Sequence, residues 1–311
     1  MPDALVSIII PAFVATPRQA DLLAETLDTV AGQSCQEFEV LVVDDGSPRE
    51  VKHIAGTRKR TTVIRQANAG SAIARNTGIA ASRGRFLVFL DADDHLLAPA
   101  LEAGLRGFAE HAECGFVVGG REEMTYEGAP VPWSVPAMPR ESRLYNILLG
   151  FDWYIIPPSS VMFRREVIEA TGGFRDPWGA DDLDLYLRVA RRAFGWCSES
   201  PAVTRYRRYS ASSSRDGERM LRSIRVVYDR QREVVRGDPE GEAAFHRGLE
   251  RLTAIFTDCL VENVEDRLRD GQWGRAARSA VLLGRESPRR LAQVAGKALR
   301  GAGPRSGAGP V

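Results

Sequence analysis

The stretch Phe86-Leu87-Val88-Phe89-Leu90-Asp91-Ala92-Asp93-Asp94 decides how this chain is read. Five apolar residues rich in Phe and Val, bounded before by Gly84, have the length and composition of a fully buried strand. Three carboxylates then follow within four positions, where such a strand leaves its sheet. In open α/β sheets, ligands bind at the carboxyl ends of the strands. Carboxylates this close repel one another, and a hard divalent ion relieves that repulsion. Mg2+ and Mn2+ suit an all-oxygen loop of this kind and also hold substrate phosphates. An acidic turn that caps the helix after Pro99 is the competing reading of the same residues.

The segments before it supply the rest of a sheet. Val6–Ile10 is a β-branched run stopped by Pro11, and Ala20–Val30 carries Leu22, Leu23, Leu27 and Val30 at helical spacing. Phe38–Val43 is a second buried strand that ends in the turn Asp44-Asp45-Gly46-Ser47-Pro48, again with aspartates at a strand's carboxyl end. Thr61–Arg65 is a weaker strand, and Asn68-Ala69-Gly70-Ser71 opens a helix through Ser82. This alternation predicts a parallel sheet with right-handed crossovers.

Beyond Asp94 the pattern loosens. Helices are expected over Pro99–His111, Ser142–Leu149 and Arg165–Ala170, and strands over Cys114–Val118, Ser159–Arg164 and Val203–Arg207. Glu127–Arg140 reads as loop. Asp181–Arg192 is amphipathic, with Leu183, Leu187 and Ala190 on one face and Asp182 and Tyr186 on another. From Glu218 only helices are expected, over 218–235, 241–270, 273–284 and 288–300. A disordered Gly/Pro/Ser-rich tail follows over 301–311.

Composition sets the class. The 311 residues are 44% hydrophobic and 27% charged with net charge +1, which argues against wholesale nucleic-acid binding. Charge is nonetheless uneven, with eight Lys/Arg against one Glu from Gly274 onward. Cys35, Cys114, Cys197 and Cys259 show no metal-ligand spacing and read as thiols of a reducing compartment. There is no signal-peptide pattern, and no apolar run approaches the roughly 18 residues that span a bilayer. A cytoplasmic protein is expected.

Taken in order, several short segments resemble glycosyltransferase family 2, the inverting enzymes with a GT-A fold. They are Val6-Ser7-Ile8-Ile9-Ile10-Pro11-Ala12-Phe13-Val14, Val42-Val43-Asp44-Asp45-Gly46-Ser47, Asn68-Ala69-Gly70, Ala74-Arg75-Asn76-Thr77-Gly78, Leu90-Asp91-Ala92-Asp93-Asp94 and Ala180-Asp181-Asp182-Leu183-Asp184-Leu185. The resemblance covers about residues 5–215. It implies an α/β, Rossmann-like GT-A nucleotide-diphospho-sugar transferase fold with a mostly parallel central sheet. On that basis residues 1–215 form the catalytic domain and 216–300 a helical C-terminal extension.

The same resemblance implies roles. The donor is a nucleotide-diphosphate sugar, a UDP-sugar foremost, and the acceptor is the hydroxyl of a glycan or glycolipid. Asp93, with Asp94 or Asp91, takes the metal and ribose contacts. Asp45 contacts the nucleotide base, Asp44 supports it, and Arg75 is its cationic neighbour. Pro11, Phe13, Asn68 and Gly70 border the nucleotide. An inverting transfer needs one base at the acceptor hydroxyl, and Asp182, paired with Asp181, matches it. Trp178 could wall the acceptor side, and Arg207 with Arg208 could hold the phosphates as fixed cations. Plainer roles compete: turn capping for Asp44 and Asp45, a surface ion pair for Arg75, and an acidic first helical turn for Asp181 and Asp182.

Two departures from the family pattern matter. Tyr209 stands where the family often has a histidine after Tyr-Arg-x. Phe13-Val14 replaces Tyr-Asn, and Ala15-Thr16-Pro17-Arg18 lengthens the first loop. The basic C-terminal segment, with Arg275, Arg278, Arg285, Arg289, Arg290, Lys297 and Arg300, reads as a packed helical lid, a homodimer contact or a peripheral attachment to the inner face of an anionic membrane. Among other functions, a nucleotidylyltransferase would need a Gly-rich loop with Arg and Lys after the first strand. A receiver-like domain would end near residue 125. A catalytically inactive sugar-nucleotide-binding protein is opposed by the carboxylates retained at each expected place.

Overall fold

The computed structural model describes residues 5–132, 139, 143–175, 179–209 and 212–301. Trp178 and most of the expected tail therefore lie outside the described residues. The N-terminal half runs β1 (Val6–Ala12), α1 (Pro17–Ala31), β2 (Phe38–Asp45), α2 (Val51–Ala55), β3 (Thr61–Gln66), α3 (Ser71–Ala81), β4 (Phe86–Phe89), β5 (His95–Leu96), α4 (Ala100–Glu110) and β6 (Cys114–Met124). It continues through β7 (Pro130–Val131), α5 (Tyr145–Leu149), β8 (Val161–Arg164), α6 (Arg165–Thr171), α7 (Asp181–Ala190) and β9 (Phe194–Arg207). Helices α8 (Gly217–Val235), α9 (Pro239–Arg269), α10 (Trp273–Glu286) and α11 (Pro288–Gly301) complete the chain.

The sheet order is β3-β2-β1-β4-β8-β6-β9-β5, with β7 beside β6. The first four strands are parallel, as the alternating pattern requires. Strand β8 then enters antiparallel to β4 and β6, so the segment leading into β8 lies at the same sheet edge as the carboxyl ends of β4 and β6. Side chains alternate across the sheet with period two. Val6, Ile8 and Ile10 pack with Leu23, Leu27 and Phe108 on one side. Ile9, Leu87 and Phe89 face the opposite cluster, which takes in Phe163, Leu185, Ile224, Tyr228 and Phe245. Helices on both faces of one sheet make the layered α/β architecture.

Several boundaries differ from expectation for local reasons. Pro11 does not stop β1: the ladder to β4 ends at Ile9, while pairing with β2 continues to Ala12 opposite Asp44. A residue without an N–H is tolerated where one edge is unpaired. The residues read as an added loop, Ala15–Arg18, begin α1 instead. Thr16 caps it through a capping box with Gln19, and Pro17 opens the first turn. Gly119-Gly120 does not end β6, since a Cβ at Gly119 would sit 2.5 Å from Val203 Cγ1. That close approach, with register shifts beside it, carries β6 on to Met124 against β9.

The C-terminal helices pack into the apolar cluster on one face of the sheet, and a buried hydrogen bond from Tyr228 Oη to the Leu149 carbonyl at 2.6 Å ties α8 to the end of α5. Gly248 lets α9 approach the same carbonyl, where a Cβ would fall 1.8 Å from the Leu149 oxygen. Backbone cannot yield as a side chain can. Gly248→Ala is expected to destabilise the protein by about 1–3 kcal/mol, the usual cost of forced overpacking. Urea unfolding beside wild type measures this, and an unchanged midpoint would mean that α9 docks otherwise.

Candidate active site

The predicted residues gather at the carboxyl edge of the sheet. Asp44 and Asp45 close β2, Asp91–Asp94 follow β4, Asp181 and Asp182 open α7, and Arg207–Tyr209 end β9. Phe13, just past β1, is 45% exposed at this edge, and Pro11 is half-buried.

On the β2 side the aspartates build the turn. Asp44 is buried, accepting from Ser47 N at 2.9 Å and pairing with Arg65 at 2.5 Å. Asp45 accepts from Ala69 N, Gly70 N and Gln66 Nε2, each at 2.8 Å, and so ties down the start of α3. Three of about four acceptor sites of a carboxylate are thereby used. Asn68 donates to the Asp45 carbonyl at 2.9 Å. Gly46 adopts φ 75, and a Cβ there would lie 2.8 Å from Asn68 N, so the turn requires glycine.

Arg75 stands elsewhere than the sequence suggested. Rather than neighbouring Asp45, its guanidinium joins Asp91 to Asp181, with 2.6 Å contacts to Asp91 Oδ1 and Asp181 Oδ2. Its side chain is 6% exposed and lies 5.1 Å over the Phe174 ring. Burial opposes its charge, yet Asp91 and Asp181 hold it firmly protonated. The loop after β4 and the start of α7 are thus bound through one cation.

Asp182 follows Asp181 and is half-buried, one oxygen accepting from Leu183 N at 2.7 Å. Burial, and next to it the charge of Asp181, push its carboxyl up to about 7. Asp181 is also raised by burial, against the pull of Arg75. The pair therefore divides: one carboxylate is locked to a guanidinium, and its neighbour is poised to take a proton near neutrality. One turn on, the buried Tyr186 hydroxyl has no hydrogen-bond partner among the described residues. Its helical spacing from Asp182 was the sequence signal that set both on one face.

The acidic loop after β4 divides in the same manner. Asp93 accepts from Tyr209 Oη at 2.8 Å, so the residue found in place of histidine contacts the principal metal candidate directly. Burial, then Asp91, raises the Asp93 carboxyl. Asp94, expected beside it as a ligand, is 1% exposed and accepts from Arg207 N at 2.9 Å. That burial and bond correct its role to anchoring the end of β9. Burial, then Asp93 and Asp91, hold its carboxyl well above the usual range, and its Oδ2 is buried without a partner.

Arg207 is corrected likewise. Its side chain is fully covered and donates to Asp93 O at 2.8 Å, Tyr126 O at 2.6 Å and Glu25 Oε2 at 2.9 Å, beside His95. A guanidinium so committed braces the acidic loop instead of gripping phosphates. Glu25 and Tyr126 come from α1 and from the turn after β6, and nothing local in the sequence pointed to them.

Among the described residues, no three carboxylate, imidazole or thiolate groups converge as a ready metal cage. Mg2+ needs none where one or two carboxylates act with waters and substrate phosphates. Asp91 and Asp93 each have one oxygen taken by a neighbour, keep acceptor capacity on the other, and repel each other. Such a donor set fits a hard divalent ion.

Residues 7–172 match the family model described as glycosyl transferase family 2. Glycosyltransferase EpsJ of Bacillus subtilis (strain 168) is 35% identical over 178 residues, covering 53% of this chain and about half, 49%, of that protein. The teichuronic acid biosynthesis glycosyltransferase TuaG of the same organism, whose assignment is putative by name, is 28% identical over 72% of this chain and 87% of its own length. Among solved structures, S. aureus TarS 1-349 in complex with UDP-GlcNAc superposes with a TM-score of 0.65 at 18% identity, over 93% of this chain and 83% of that one. At that identity the likeness bears on fold alone, and it is the GT-A type. Motifs in order and a family model spanning more than half of the sequence agree: the chain belongs to glycosyl transferase family 2.

Proposed function

We propose that the protein transfers a sugar, with inversion, from a UDP-sugar to a hydroxyl of a glycan or glycolipid acceptor, with a divalent ion at Asp93 and Asp91. The observation that carries this reading is the Asp182 carboxyl, raised to about 7 and joined through Asp181 and Arg75 to the loop after β4. Asp182 takes the acceptor hydroxyl proton as that oxygen attacks the anomeric carbon. The bond from that carbon to the donor's diphosphate oxygen breaks, and its electron pair leaves with the nucleotide. A bound Mg2+ or Mn2+ would neutralise charge on the departing diphosphate. Arg75 occupies Asp181 Oδ2 and pulls that carboxyl down against burial, which leaves Asp182, rather than its neighbour, available as base. The UDP-GlcNAc complex of the TarS structure supports the choice of nucleotide. Residues 1–215 would form the catalytic unit, with 216–300 as its helical extension. Exposed Trp273 and Val281 on α10, among Arg275, Arg278 and Arg285, support peripheral membrane contact.

The test is a thermal-shift series with UDP, GDP and dTDP and their sugars, with and without Mn2+. A ligand at 100 times its Kd stabilises the folded state by about 2.7 kcal/mol. UDP is expected to raise the midpoint only with metal, and Asp93→Ala to abolish that rise. If no nucleotide shifts the wild type under any metal condition, the reading fails.

A further inference from the structure

The residue that bonds Asp93 is itself held by a chain of contacts reaching back to the first helix. Tyr209, just past β9, donates from Oη to Asp93 Oδ2 at 2.8 Å. Its ring lies against Tyr126, from the turn after β6, with centroids 5.1 Å apart and planes tilted by 54°. The Arg18 guanidinium, from the first turn of α1, sits 5.3 Å over the Tyr126 ring. A tilted aromatic pair and a cation over a ring face are both attractive, so each member restrains the next.

The backbone under this stack is braced twice. The Tyr126 carbonyl accepts from Arg18 Nη2 at 3.1 Å and from Arg207 Nη1 at 2.6 Å. Glu25 takes the same two guanidiniums, Arg18 at 2.8 Å and Arg207 at 2.9 Å. Arg207 also donates to the Asp93 carbonyl at 2.8 Å. The main chain of Asp93 and the phenol that meets its side chain are therefore fixed to one frame. Neither tyrosine belongs to the apolar clusters that the described residues form on the two faces of the sheet, so core packing does not account for the stack. Tyr209 and the segment Ala15–Arg18, two places where the sequence departs from the family pattern, are joined through Tyr126.

Resting on the metal site of the transferase reading, we propose that Tyr209 is the positioning residue for a divalent ion at Asp93, and that Tyr126 and Arg18 hold Tyr209 in place from α1. The phenol occupies one oxygen of Asp93 and restrains the carboxylate while the other oxygen keeps its acceptor capacity. Partners that orient a metal-binding side chain in this way matter: losing one typically costs about 10–100-fold in metal affinity.

Mn2+ titration followed by electron paramagnetic resonance, alone and with UDP against protein-free blanks, tests this without turnover. Tyr209→Phe keeps the ring and loses the donor, and is expected to weaken Mn2+ binding by about 10–100-fold. Tyr126→Ala removes the ring beside it and should weaken binding by about two- to tenfold. Tyr126→Phe, which keeps that ring, should bind as the wild type does. The hydroxyl then matters at Tyr209 and the ring at Tyr126, a pattern that a general loss of stability does not produce. Unchanged or tighter binding in Tyr209→Phe overturns the proposal, because the phenol would then be idle or in competition with the ion. A silent Tyr126→Ala overturns it too, since Tyr209 would act without the stack. In both cases the metal reading stands. If the wild type binds no Mn2+ under either condition, the metal reading fails and the proposal falls with it.

Discussion

Asp182→Asn is expected to lower turnover by about 10²–10⁴-fold, the range a positioned general base contributes, while nucleotide binding persists. Asn keeps the shape and the hydrogen bond from Leu183 N but cannot take a proton. The wild-type pH profile supplies the independent check. A base works only when deprotonated, so kcat/KM should rise with pH and level off above about 7, where burial and Asp181 set the Asp182 carboxyl. The residual activity of the variant should lose that limb. Asp181→Asn offers the contrast, because Asp181 is tied to Arg75 at 2.6 Å and acts on its neighbour through charge. If that variant were the silent one and Asp182→Asn turned over normally, the roles within the pair would be reversed.

Arg75→Met should have the largest effect on stability. Breaking a buried ion pair by removing one partner costs about 3–5 kcal/mol, because the remaining charge is left uncompensated. Two carboxylates lose their partner here; Asp181 dominates with its side chain 8% exposed, while Asp91, at 31%, is partly relieved by water. Urea unfolding measures the loss. The kinetic readout is the acid limb of the pH profile. Arg75 pulls the Asp182 carboxyl downward directly and, by pairing with Asp181, sustains the charge that pushes it up, so its removal should displace that limb. Equal stability with an unmoved limb would show that Arg75 does not couple the two loops.

What could be read in the sequence follows from what is local. Strand β4, the turn Asp44–Ser47 and the helices after Glu218 rest on composition and periodicity, which act within a few residues. The cap of α1 was missed although Thr16 and Gln19 have capping-box spacing, because Ala15–Arg18 was read as an added loop. Strand β9 was foreseen only over Val203–Arg207, although pairing with β6 extends it back to Phe194 across Pro201. Tertiary pairing overrode weak local preference there. The carboxylates of the site were found by type and position, but not their division of labour. Whether Asp94 is ligand or anchor, and whether Arg207 is grip or brace, depends on burial and on Glu25 and Tyr126, far away in sequence. Arg75 shows the same limit: one helical residue could face either neighbouring turn, and only the packed structure chose.

The docking of α8 and α9 bears on how such a protein can diverge. The recognisable family segment ends at residue 172, yet Met220, Leu221, Ile224 and Val227 complete the apolar layer against the sheet. A recombination joint placed at the end of the family segment would strip one face of the sheet of its cover. Inheritance should therefore carry these helices together with the sheet, even while their exposed faces drift.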